Sequence, residues 1–199
     1  MFLAEILLLL TFSTAERISL VMAKEGVKIE DNLGVETLKK VDGISSKIFN
    51  TIFIDSGAYA GIWHTFIPTE QEKEDSEGLE NLGSGLFNFM DDKLLVVGFL
   101  LFQTIHRLTL FGLWMPSFII LIALSFYTGL IFRKIKQGNF SFASPTMHRM
   151  CIKLILIIFT ILPLLLMFPF PLSPYLYSYL YLAIAFMIMV IVANIAKRV

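Results

Sequence analysis

Residues 151–196 read CIKLILIIFTILPLLLMFPFPLSPYLYSYLYLAIAFMIMVIVANIA, and Lys153 is the only charged residue among them. Pro171-Leu172-Ser173-Pro174 divides this run into Cys151–Phe170 and Tyr175–Ala196. Each part has the roughly 20 apolar residues that a helix needs to cross a bilayer core. Proline cannot continue a helix and pushes its predecessor out of helical geometry. So short a divider allows only a tight reversal, and the pair reads as a transmembrane helical hairpin. A third apolar segment, Leu108–Phe132, lies within a longer apolar stretch that begins at Leu94.

Charge fixes the expected orientation. Arg133, Lys134, Lys136, Arg149 and Lys153 lie in or beside the linker between Leu108–Phe132 and Cys151–Phe170, whereas the Pro-Leu-Ser-Pro turn has no charge. Lys and Arg near span ends are retained on the cytoplasmic side. The linker is therefore expected inside, the turn outside, and Lys197 and Arg198 inside. The five linker cations are expected to contact the membrane interface, where attraction to anionic lipid is worth about 1 kcal/mol per charge.

All sixteen Asp and Glu lie at or before Asp92, and residues 94–199 hold eight Lys and Arg with no acid. The zero net charge thus hides two opposed halves. At 56% the apolar content exceeds the about 45–50% of soluble domains, and at 16% the charged content falls short of their about 25%. With Leu108–Phe132 running inward, the acidic region is expected outside. Its carrier across the membrane would be residues 1–22, whose run Ile6-Leu7-Leu8-Leu9-Leu10 is short for a span and has Glu5 beside it. A span, a cleaved signal at Ser13-Thr14-Ala15, a truncated start and a cytoplasmic amphipathic segment are all open readings.

Within the acidic region, Val35, Leu38, Val41, Ile44, Ile48 and Ile52 recur at steps of three and four, which places them on one helical face. That helix is expected to pack on Ile18–Glu25 or on one near Phe87. Gly57-Ala58-Tyr59-Ala60-Gly61 has the spacing of a close helix approach. With Asp55 and His64 beside it, it reads as a helix crossing, a local break or a dimer contact. Glu70–Glu77 has nothing apolar to bury and is expected to be a mobile loop.

The expected class is therefore all-α, a polytopic membrane protein of about four transmembrane helices with a helical extracytoplasmic insertion. Its order is an N-terminal span or anchor (1–22), an acidic helical region (23–93, mobile over 68–80) and an interfacial helix leading into the second span (94–132). A basic cytoplasmic linker (133–150), the hairpin (151–196) and a cytoplasmic tail (197–199) follow.

His106 and Arg107 interrupt the apolar stretch, and ionisable groups at membrane depth are candidates for function because desolvating them is costly. The preferred reading places them at the outer interface, with Leu94–Ile105 lying on the membrane or packed on the acidic domain. A buried pair contacting acids of the N-terminal half and a polar pathway lining stay open. Thr-x-His-Arg recurs at Thr104–Arg107 and Thr146–Arg149, but the flanking residues differ and the echo reads as chance. Pro116 and Pro163 are expected to kink two spans. Ser117, Ser125 and Thr160 are expected to bond their own helices' carbonyls.

The spans contain no Asp or Glu, and no metal-ligand spacing occurs, so neither catalysis nor a cofactor is expected. Cys151, the only cysteine, cannot form an intrachain disulfide. Asn139–Pro145 interleaves Phe140 and Phe142 with bases, yet lipid explains those bases and no direct nucleic-acid contact is expected.

The C-terminal half has a span ending in Arg133-Lys134, then Gly138 through Ser144-Pro145 to His148-Arg149, then two close spans and the tail Asn194–Val199. This order resembles a family of bacterial inner-membrane proteins encoded on conjugative plasmids and integrating conjugative elements. The resemblance implies a component or accessory of a conjugative, type IV secretion-like apparatus, with other membrane or envelope proteins as partners and no active site. A small oligomeric transporter or pore is the alternative.

Overall fold

The structure is a computed structural model describing residues 14–61, 80–139 and 141–195, the side chains of 80–88 apart. The expectations for residues 1–13, 62–79 and 196–199, including the first apolar run, the acidic loop and the tail, lie outside the described residues. Those described are helical, without strands: α1 Ala15–Leu33, α2 Val35–Phe49, α3 Glu80–Leu113, α4 Met115–Gly138, α5 Pro145–Met167 and α6 Tyr175–Ala193. Among the described residues, four helices are long and apolar enough to cross a membrane: Phe89–Leu113, Met115–Gly138, Pro145–Met167 and Tyr175–Ala193. The chain divides into two compact units, Met1–Thr109 with Leu166–Ser173, and Leu110–Leu165 with Pro174–Val199.

In the first unit, Thr14 caps α1 by accepting from the Arg17 N–H, as N-cap hydroxyls do. The junction to α2 is Gly34, whose φ of 86° and ψ of 158° form a conformation essentially reserved for glycine. Ile18, Val21, Glu25 and Ile29 form the buried face of α1. Ile18 meets Val96 and Leu100 of α3, with Ala15, Met22 and Met167 packed around them. The α2 helix packs on α1, the first of the two partners left open by the sequence. Its buried positions are Val41 and Ser45, whereas Ile44 and Ile48 are exposed, so the apolar stripe is covered along one edge only. After α2 the backbone widens into a π-turn, Asn50–Ile54, and Gly57 adopts φ 71°. The small-residue run is thus a local break. A Cβ on Gly98 would lie 3.4 Å from the Tyr59 ring. Burial, and secondarily the Asp91 charge, push the Tyr59 phenol above its ordinary pKa.

The second unit is built on α4 and α6, which approach closely at Gly129, where a Cβ would lie 2.8 Å from Val192 Cβ and 2.9 Å from the Met189 carbonyl. The hairpin partner α5 contributes Cys151 to a cluster with Ile184 and Met187. Two boundaries differ from expectation. Pro116 does not kink a span but occupies the first turn of α4, where a missing N–H costs nothing. The break falls at Trp114, which keeps helical geometry with φ −82° and ψ −10°. At the other boundary, α5 stops at Met167, before Phe168-Pro169, because the residue preceding proline avoids helical geometry. Pro163 does lie inside α5, and Thr160 bonds the Leu156 carbonyl as anticipated.

Candidate functional site, a buried arginine clamp

The two prolines that end α5 and its turn create a local problem. Neither Pro169 nor Pro171 has an N–H, so this stretch is short of backbone donors, although the Phe170 N–H still reaches the Phe168 carbonyl at 2.8 Å, and buried carbonyls need partners. Arg107 supplies them from α3. Its Nη1 donates to the carbonyls of Leu166 (2.9 Å) and Phe168 (2.7 Å), and its Nη2 donates to that of Phe170 (2.6 Å). The remaining donors face Glu25 on α1, with Nη2 2.5 Å from Oε1 and Nε 3.1 and 3.2 Å from the two carboxylate oxygens. Glu25 Oε1 also accepts the Leu172 N–H at 2.8 Å, and Lys28 Nζ donates to the Pro171 carbonyl at 2.8 Å.

Arg107 is 1% exposed and Glu25 3% exposed, so both charges are desolvated. The planar fork of an arginine suits this task, giving bidentate contact to a carboxylate while reaching several carbonyls. Beside it, His106 Nε2 lies 2.9 Å from Asp42 Oδ1, an ion pair when the imidazole is protonated, and its ring neighbours Phe102, which meets Phe49 edge-on. Both flagged residues are therefore joined to carboxylates of the N-terminal half, one of the readings left open. Gln103, one turn before Arg107, is 1% exposed and its amide atoms have no partner among the described residues.

The five linker cations separate in the structure. Lys136 Nζ donates to Asn194 Oδ1 at 2.7 Å, and Asn194 also accepts the Ser144 N–H and donates to the Val190 carbonyl. His148 Nδ1 donates to the Ile191 carbonyl at 3.1 Å, because a carbonyl can only accept. This node closes the C-terminal end of α6, where the Asn194 N–H also bonds the Val190 and Ile191 carbonyls. Lys134, Arg149 and Lys153 are exposed, and Arg133 is half-buried. The two Thr-x-His-Arg copies have unlike environments, since Arg107 is buried and Arg149 exposed.

Sequence reasoning missed Glu25, Lys28 and Asn194 as structural partners. The signal for Glu25 was present, a carboxylate on the same helical face as Ile18, Val21 and Ile29. Among the described residues no group of His, Cys, Asp and Glu could hold a metal ion. One family model, described as IncC plasmid conjugative DNA transfer protein DtrJ-like, matches residues 11–198, nearly the whole chain, and bears out the resemblance drawn from its C-terminal half. No match is found among curated proteins or among solved structures.

Proposed function

Because the chain belongs to the DtrJ-like family of conjugative DNA transfer proteins, we propose that it serves transfer as a non-enzymatic inner-membrane component or accessory of a type IV secretion-like apparatus. It acts through contacts with other membrane or envelope proteins of that apparatus. The observation that carries the contact reading is an uncovered apolar row on α2 and the π-turn. Ile44, Ile48, Ile52 and Ile54 are 43, 37, 51 and 57% exposed. They lie outside the four candidate spans. Apolar surface of this kind suits a protein partner.

The topology we adopt follows from charge. The basic linker lies inside, so the turn between α5 and α6 lies outside. Arg107 and Glu25 bind that turn directly, which supports an outer position for α1 and their stretch of α3 as well. The helical geometry of Trp114 supports the same assignment, since reversing direction between two helices takes a loop of about two residues or more. On this topology Phe89–Leu113 qualifies as a span by composition, and part of its apolar surface, Val96 and Leu100, packs on Ile18 of α1. The C-terminus is cytoplasmic. The pore alternative gains no support, because His106 and Arg107, the polar groups it would use, are engaged within the first unit.

The test is mating from donor cells carrying Ile44→Asp/Ile48→Asp. Loss of two central interface anchors should lower transfer by more than about ten-fold while the protein stays at its normal level in the membrane fraction. Unchanged transfer at that level contradicts the contact reading.

A further inference from the structure

The second unit contains seven Lys and Arg and no Asp or Glu, because no acid occurs in residues 93–199. Its cations therefore have no side-chain counter-ion within their own unit. Lys136 is satisfied by Asn194. Arg149 and Lys153 are not explained in this way. They stand one turn apart at the start of α5 and, with Pro145, Thr146 and Met150, line an open groove.

Thr146, Arg149 and Lys153 follow at intervals of three and four, so a hydroxyl, a guanidinium and an ammonium converge on one helical face. The surface beyond them is apolar. Met150, Leu154, Ile157 and Ile161 are 56, 41, 50 and 50% exposed and continue along the helix at steps of four, three and four. The groove thus has a cationic head with hydrogen-bond donors and an aliphatic runway leading away from it. A free anion would have no use for the runway, and a polynucleotide would need a longer row of cations.

We propose that this groove binds an anionic phospholipid, its phosphodiester held by Arg149, Lys153 and the Thr146 hydroxyl, and one acyl chain lying along Met150, Leu154 and Ile157. The inference rests on α5 crossing a bilayer with its basic end at the interface, and not on the role in DNA transfer. A groove on α4 lined by Leu130, Ile131, Arg133, Lys134 and Gln137 has a related make-up and accounts for lipid that remains when the first is removed.

The experiment is native mass spectrometry of the full chain in detergent, titrated separately with phosphatidylglycerol, phosphatidylcholine and inorganic phosphate. The wild type should retain phosphatidylglycerol in preference to the other two. Arg149→Gln/Lys153→Gln should lose one bound phosphatidylglycerol, with its affinity reduced about ten-fold or more, while phosphatidylcholine binding stays unchanged. Lys39→Gln/Lys40→Gln, which removes the same charge from α2, should behave as wild type, and Arg149→Lys/Lys153→Arg should keep the lipid. Equal retention by the Gln variant overturns the proposal. So does equal binding of phosphatidylcholine or phosphate by the wild type, or a parallel loss of both lipids in the variant, which would report disrupted packing.

Discussion

A single guanidinium, that of Arg107, meets three carbonyls of a proline-rich turn and a carboxylate from another helix. Removing one member of a buried ion pair leaves the other charged and unpaired, at a cost of about 3–5 kcal/mol. Arg107→Met should therefore lower stability to unfolding by that order. Arg107→Lys should rescue only part, since an ammonium cannot span the carboxylate and the carbonyls together. The double variant Arg107→Met/Glu25→Leu should be less destabilised than Arg107→Met alone, because no unpaired charge remains. Thermal unfolding in detergent checks all three, and equal damage from Arg107→Met and the double variant would deny the coupling. The cost of placing Arg107 in an apolar stretch was legible from the sequence. Its partner was not, because Glu25 entered only as the end of the packing segment Ile18–Glu25, and only the packed face of α1 shows that its carboxylate is buried.

Helix identity was more legible than helix limits. Long apolar runs identify α4, α5 and α6 by composition, but the joints depend on single residues whose effect is local. Pro169 ends α5 at Met167, ahead of the more obvious Pro171, and Pro116 starts α4 instead of bending it. The periodic stripe of α2 located a helix correctly. It overstated the buried face, since periodicity reports which residues share a side and not how much of that side finds a partner. The contact of α4 with α6 was not visible at all, although Gly129 controls it. A side chain there would press on the Met189 carbonyl, and backbone cannot yield as a flexible side chain can. Gly129→Ala is expected to lower stability by about 1–3 kcal/mol through overpacking. At Gly112 a Cβ would meet nothing within 4 Å. Gly112→Ala should be neutral or slightly stabilising, by up to about 1 kcal/mol. Thermal melts of the two variants make the comparison, and equal effects would contradict the close approach.

For the whole molecule, the separation of charge along the chain carries the argument. Every acid lies in the first unit, and the second has only bases. That division was readable from the sequence, as was a helical membrane protein linked to conjugation. What the sequence left open was how the acidic half relates to the membrane turn, since that depends on bonds between residues more than 140 positions apart, such as Glu25 to Leu172. These bonds support the central proposal, that the acidic helices and the α5–α6 turn share the outer side, where envelope partners are proposed to bind. The most direct test is labelling of single cysteines with a membrane-impermeant maleimide in a Cys151→Ser background. Lys39→Cys should be labelled in intact cells and Gln137→Cys only after the inner membrane is permeabilised. Labelling of Gln137→Cys in intact cells, with Lys39→Cys protected until permeabilisation, would contradict the account.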